Sequence, residues 1–147
     1  MENKMVLTIP ALSQNESFAR GVVAGFCITL NPTLDELTDI KTAVSEAVTN
    51  CIVHAYPNSE GEIEIKAEIN GNFVTIEVRD FGVGIENLDK ARTPFFTTKP
   101  LEERSGMGFT VMESFMDSVS VQNVKGGGVK VIMSKQIQSQ SKIRKLG

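Results

Sequence analysis

The sequence predicts an α+β fold in which helices cover one face of a sheet. Two strand pairs show period-two alternation, an edge strand is rich in strand formers, and three helical stretches carry apolar residues near the 3.6 period. With 147 residues, 41% of them hydrophobic, and no second compositional block, the chain has enough apolar material for one core and too little for two ordinary domains. The expected division is a single domain over residues 1–136 followed by a short, basic, flexible tail over 137–147.

Met5-Val6-Leu7-Thr8-Ile9 is rich in strand formers and stops at Pro10, the pattern of an edge strand. Ser13-Gln14-Asn15-Glu16 has capping-box spacing and opens a helix whose apolar face is expected at Phe18, Val22 and Phe26, flanked by Val23 and Ile28. Gly21 and Gly25, four apart, are suited to close packing, and Asn31-Pro32 ends the helix. A second capping box, Thr33-Leu34-Asp35-Glu36, starts the next helix, where Leu37, Ile40, Val44, Val48, Cys51 and Ala55 share one face. Glu46, Asn50 and His54, spaced four apart, form a polar column along the flank of that stripe.

Tyr56-Pro57-Asn58-Ser59-Glu60-Gly61 breaks the helix. Ile63, Ile65, Ala67 and Ile69 then alternate with charged residues, Asn70-Gly71 signals a hairpin, and Val74, Ile76 and Val78 return with Thr75, Glu77 and Arg79 outward. The return strand runs into Asp80-Phe81-Gly82-Val83-Gly84-Ile85. A polar connection over 86–105 follows, with a short helix near Leu88 to Arg92 and a lid over Thr93 to Ser105. Gly106-Met107-Gly108 opens a helix bearing Phe109, Met112, Phe115 and Met116, and two more strands flank Gly126-Gly127-Gly128.

Composition excludes several classes of function. No apolar run approaches the roughly 20 residues of a membrane span, and Met1-Glu2-Asn3-Lys4 leads into a strand instead of a signal-peptide core, so a cytoplasmic protein without membrane contact is expected. Net charge is −3, but the stretch from Lys135 holds no acidic residue, and setting aside its four positive charges leaves −7 on the body, which disfavours direct nucleic-acid binding. Cys27 and Cys51 fall at apolar helical positions and lack zinc-ligand spacing, so they read as core residues.

The remaining polar residues fit a magnesium-nucleotide site. Asn50 offers an amide oxygen to Mg²⁺, and Glu46, one turn earlier, can accept a proton from an attacking hydroxyl. Asp80 can accept from an exocyclic amine where Gly82 and Gly84 let backbone approach a planar ring. The helix start at Gly106-Met107-Gly108 presents amides and a positive dipole end to phosphate, and Lys99 and Arg104 in the preceding loop carry charge for a γ-phosphate. No G-x-x-x-x-G-K-[ST] occurs, and neither glycine pair continues to a dinucleotide turn.

Taken in order, Glu46-x-x-x-Asn50, Asp80-x-Gly82-x-Gly84 and Gly106-x-Gly108 resemble the N box and two glycine boxes of the GHKL superfamily, the ATP-binding domains of gyrase, Hsp90, histidine kinases and MutL. Within it, Ser45-Glu46-Ala47-Val48-Thr49-Asn50, Pro94-Phe95-Phe96-Thr97-Thr98-Lys99-Pro100 and Glu103-Arg104-Ser105-Gly106-Met107-Gly108-Phe109 are similar to the anti-sigma F factors of spore-forming bacteria, over nearly the whole chain. The resemblance implies a Bergerat-type two-layer α/β sandwich with a mixed, mostly antiparallel sheet. It also implies a homodimeric ATP- and Mg²⁺-dependent serine-protein kinase. Such a kinase holds a sporulation sigma factor of the sigma F type while ATP is bound and phosphorylates an anti-anti-sigma factor that displaces it.

By matching position the resemblance makes Glu46 the catalytic base, Asn50 the Mg²⁺ ligand and Asp80 the adenine reader. His54, Gly82, Gly84, Thr97, Thr98, Lys99, Arg104, Ser105, Gly106, Met107 and Gly108 complete the nucleotide site, and Arg20 is presented to both protein partners. Val129 and Lys130 stand where the family places threonine after the glycine turn, so the hydrogen bonding behind Asp80 is expected to differ. A general-stress anti-sigma kinase and a nucleotide-gated binding module without chemistry are the alternatives. The 147 residues carry no phosphoacceptor-histidine helix of the histidine-kinase kind.

Overall fold

A computed structural model of the chain describes residues 2–57, 59–84 and 106–138. The expected short helix at 88–92 and the lid at 93–105 lie outside these residues. Among the described residues five strands form one sheet: β1 (Glu2–Pro10), β2 (Glu62–Asn70), β3 (Phe73–Asp80), β4 (Ser118–Asn123) and β5 (Val129–Gln136), in the order β1-β2-β3-β5-β4. Every ladder is antiparallel, and β1 is an edge strand, as its composition predicts. The helices are α1 (Asn15–Cys27), α2 (Leu34–Asn50) and α3 (Gly106–Phe115).

Strand alternation decides which face the helices cover. Ile63, Ile65, Ala67 and Ile69 of β2 and Val74, Ile76 and Val78 of β3 are almost wholly buried. They pack with Ala19, Val23 and Cys27 of α1, with Ile40, Val44 and Val48 of α2, and with Phe109 and Met112 of α3 in one core cluster. The alternate residues form a charged outer surface, where Lys66 meets Glu64 at 3.6 Å and Glu77 at 4.0 Å, and Lys130 meets Glu77 at 3.7 Å.

α2 begins as predicted. Thr33, extended at ψ 166, accepts the Glu36 amide at 3.0 Å, while the Glu36 carboxylate accepts the Thr33 amide at 3.0 Å. α1 does not. Its N-cap is Gln14 in the right-handed helical region, with no side-chain cap, because the chain enters through a tight turn in which Ser13 contributes only its carbonyl, to the Glu16 amide. The Glu16 carboxylate is taken instead by Arg20 at 3.4 Å and Ser17 at 3.3 Å.

The buried face of α1 is also rotated from the expected one. Ala19, Val23, Ala24 and Cys27 are buried, whereas Phe18 and Ile28 are more than half exposed and Gly21 and Gly25 face open space. Small side chains line this face where α1 lies against α2. In the β2–β3 hairpin the two loop residues are Gly71 and Asn72, with Gly71 at φ +64 in the first loop position, one residue on from the Asn70-Gly71 pair read in the sequence. At the other end of the chain Ile137 is buried and exchanges hydrogen bonds with Asn72, while the Gln138 amide donates to Glu36 at 3.0 Å. These first two residues of the expected tail are therefore tied to the domain, and 139–147 lie outside the described residues.

Candidate nucleotide site

α2 does not stop at Asn50 but widens into a π-helical turn over Cys51–Ala55, a feature that often marks functional sites. The apolar face carries through it, since Cys51 and Ala55 are buried. The turn shifts the helical phase, so half-buried His54 no longer follows Glu46 and Asn50 at 100° per residue. It also aims the Ala55 carbonyl at the segment after β3, where it accepts the Val83 amide at 2.9 Å.

That contact explains Gly82. A Cβ there would lie 1.9 Å from the Ala55 carbonyl oxygen, so only glycine allows the segment to cross the helix end. From the opposite side Gly128, at φ +93, packs backbone to backbone on Asp80; a Cβ at Gly128 would meet the Asp80 carbonyl oxygen at 2.0 Å. The end of β3 is thus held between a helix terminus and a glycine turn.

Asp80 is fully buried there. One of its carboxylate oxygens, Oδ1, accepts the amides of Gly82 and Val129, each at 3.1 Å. Replacement of the expected threonine is therefore met by main chain: Val129 supplies its N–H and buries its side chain, while Lys130 turns to the outer surface and pairs with Glu77. Two backbone donors fix the carboxylate's direction.

Across the site, α3 brings Gly108 against α2. A Cβ at Gly108 would lie 3.3 Å from Asn50 Nδ2 and 3.7 Å from Glu46 Oε2, so the glycine leaves a gap bounded by an amide, a carboxylate and the first turn of a helix. Asn50 is buried, and among the described residues its Nδ2 has no hydrogen-bond partner. An orphaned buried amide costs about 1–3 kcal/mol unless something meets it, and a half-turn of the amide presents its oxygen in the same place. The Glu46 carboxyl is raised above its ordinary range, first by burial and second by the Glu16 charge, which suits it to taking a proton.

These residues fit ATP and Mg²⁺. Among the described residues no cluster of three His, Cys, Asp or Glu side chains exists to hold a metal unaided. Mg²⁺ is commonly held through one or two protein oxygens plus substrate phosphates, and Asn50 provides such an oxygen.

Of the other expected site residues, Gly84 packs beside Asn123, whose Oδ1 would be 2.7 Å from a Cβ there. Gly106 and Met107 form the start of α3, and Thr97, Thr98, Lys99, Arg104 and Ser105 lie outside the described residues. Arg20 bridges α1 and α2, reaching Glu16 and Ser45, each at 3.4 Å. It lines a cleft of about 340 Å³ with Glu16, Ser45 and Glu46. Sequence reasoning missed Tyr56, the one tyrosine of the chain, placed where the helix ends: its hydroxyl donates to the Glu62 carbonyl at 2.5 Å and accepts the Phe81 amide at 2.7 Å.

Comparison with known proteins gives the family and the fold. The histidine kinase-like ATPase domain family matches residues 9–135. The chain is 58% identical over 137 residues to the anti-sigma F factor of a Thermoanaerobacter species, covering 93% of this chain and 96% of that one. The anti-sigma F factor of Clostridium acetobutylicum is 57% identical, with coverage of 92% and 95%, and that of Bacillus licheniformis 53%, with 93% and 94%. Among solved structures, the RsbU and RsbW domains of a Mycobacterium tuberculosis protein superpose with a TM-score of 0.67 at 18% identity, over 92% of this chain and 32% of that one. The catalytic domain of the histidine kinase ThkA gives 0.58 at 19%, over 90% and 98%. Both share the fold.

Proposed function

We propose, from the premise that the chain belongs to the histidine kinase-like ATPase domain family and within it to the anti-sigma F factors, that it is an ATP-dependent serine kinase and anti-sigma factor. It holds a sigma F-type factor while ATP is bound and phosphorylates the anti-anti-sigma factor that displaces it. The observation that carries this reading is the gap at Gly108, where the Glu46 carboxylate, the Asn50 Nδ2 left unpartnered among the described residues, and the N-terminus of α3 meet.

Bound ATP with Mg²⁺ supplies the γ-phosphoryl group. Asn50 holds the metal through its amide oxygen. The amides of the first turn of α3 face phosphate oxygens, with the positive end of the helix dipole behind them. Asp80, fixed by Gly82 and Val129, accepts from the exocyclic amine of adenine. Glu46 takes the proton of the acceptor serine as its oxygen bonds to phosphorus and ADP departs.

The cleft between α1 and α2 leads from Arg20 to Glu46, which gives a docked partner a path to the base and supports Arg20 as the partner contact. Thr97, Thr98, Lys99, Arg104 and Ser105 are further nucleotide-binding residues, His54 borders the nucleotide, and two copies of the chain form a homodimer. Glu46→Gln keeps ATP binding and lowers phosphoryl transfer by roughly 10²–10⁴. Mass spectrometry of the anti-anti-sigma partner after incubation with Mg-ATP tests this. A phosphoserine made by wild type and not by the variant supports the reading; unchanged transfer by Glu46→Gln removes the base assignment, and no phosphate with wild type removes the kinase.

A further inference from the structure

The segment that carries Asp80 is held by groups that take no part in the chemistry above. The Ala55 carbonyl holds the Val83 amide, and the Tyr56 hydroxyl holds the Phe81 amide while giving its own hydrogen to the first residue of β2. Ala55 ends the π-helical turn and Tyr56 follows it directly, so one helix end grips both sides of Gly82. Gly61 makes room for this: a Cβ there would lie 2.2 Å from the Tyr56 ring, although its backbone conformation is open to any residue. The ring is thus wedged between Gly61 and the strand end, with its hydroxyl directed at the peptide that follows Asp80.

We propose that Tyr56 is a positioning residue for the nucleotide base: by bridging Phe81 N–H and Glu62 C=O it fixes the Asp80 peptide, and through it the direction of the base-reading carboxylate. The inference rests on the reading of Asp80 as the adenine contact and goes beyond it, because Tyr56 acts through the Phe81 amide and the Glu62 carbonyl. Its removal leaves the Phe81 N–H and the Glu62 carbonyl without this partner and lets the turn relax. The effect is confined to the part of the ligand that Asp80 reads, while the phosphates, held by α3 and Asn50, are unaffected.

The test compares ATP with purine riboside 5′-triphosphate, which lacks the exocyclic amine, by calorimetry on the full chain. Wild type prefers ATP. Tyr56→Phe loses about fivefold or more of that preference, with unchanged affinity for the amine-free nucleotide. Gly61→Ala, which displaces the ring without deleting the hydroxyl, does the same. Amide exchange at Phe81 in nucleotide-free protein is faster in Tyr56→Phe. A folded Tyr56→Phe that keeps the wild-type preference, or that weakens both nucleotides equally, overturns the proposal. Absence of any preference in wild type, with Asp80→Asn indistinguishable from it, overturns the reading of Asp80 and this inference with it.

Discussion

Gly108 shows how much of the site depends on one missing atom. In an ordinary α-helix glycine costs about 1 kcal/mol relative to alanine, so a glycine inside the first turn of α3 calls for a reason. The reason lies in the 3.3 Å and 3.7 Å that would separate a Cβ from Asn50 Nδ2 and Glu46 Oε2. A methyl group fits there sterically, with a slight shift of the Asn50 amide, but on the proposed reading it fills the space in which phosphate and metal would meet the protein. Gly108→Ala is therefore expected to raise helix propensity and hold or increase the melting temperature, while ATP affinity falls by about tenfold or more, a loss of ~1.4 kcal/mol. Calorimetric titration with ATP beside a thermal melt checks both halves. Loss of stability together with loss of binding would mean that Gly108 serves packing alone.

At the scale of elements, two segments with the same capping-box spacing behave differently. Thr33 adopts the extended conformation that lets its oxygen face the Glu36 amide, and the box closes in both directions. Ser13 precedes a Gln14 already in helical conformation, so its hydroxyl has no helix end to cap. Thr33→Ala is accordingly expected to cost about 1 kcal/mol and to lower the melting temperature by about 2–4 °C for a chain of this size. Ser13→Ala should change stability by less than about 0.5 kcal/mol. Urea denaturation of the two variants separates these cases, and equal losses would contradict the caps described.

The same contrast shows what was legible from sequence. The face of α2, the hairpin strands and the trio Glu46, Asn50 and Gly108 follow from local spacing and short motifs. The face of α1 was read from its large residues, Phe18 and Val22, yet the helix buries Ala19, Val23 and Cys27, because close approach to α2 favours small side chains. Tyr56 escaped notice because its partner Phe81 lies 25 residues away, and no local pattern encodes a hydroxyl meeting a distant amide.

At the scale of the whole molecule, the site depends on the helix layer staying seated on the sheet, since Glu46 and Asn50 come from α2, Gly108 from α3 and Asp80 from β3. Cys27, wholly buried in that layer, reports on the seating. Burial pushes its thiol from 9.0 up to about 12, so the folded chain keeps a proton that the unfolded chain releases near pH 9. Its contribution is fully present below pH 9 and is lost as pH rises toward 12. Across this window unfolding is favoured by up to about 1.4 kcal/mol per pH unit from this thiol. Burial also raises the Tyr56 hydroxyl, which adds a loss of the same sign at higher pH. Urea unfolding at pH 8, 9.5 and 10.5 should show stability falling between the last two points, and Cys27→Ala, though less stable at pH 8, should show a shallower fall. Equal slopes in the two proteins would mean that the thiol reaches solvent and ionises in the folded protein, because the helix layer opens locally before the fold is lost. In that event the candidate nucleotide site would come apart ahead of the sheet, and ATP, on the proposed reading a bridge between α2, α3 and β3, would protect Cys27 from a thiol reagent more strongly than it raises the global unfolding free energy.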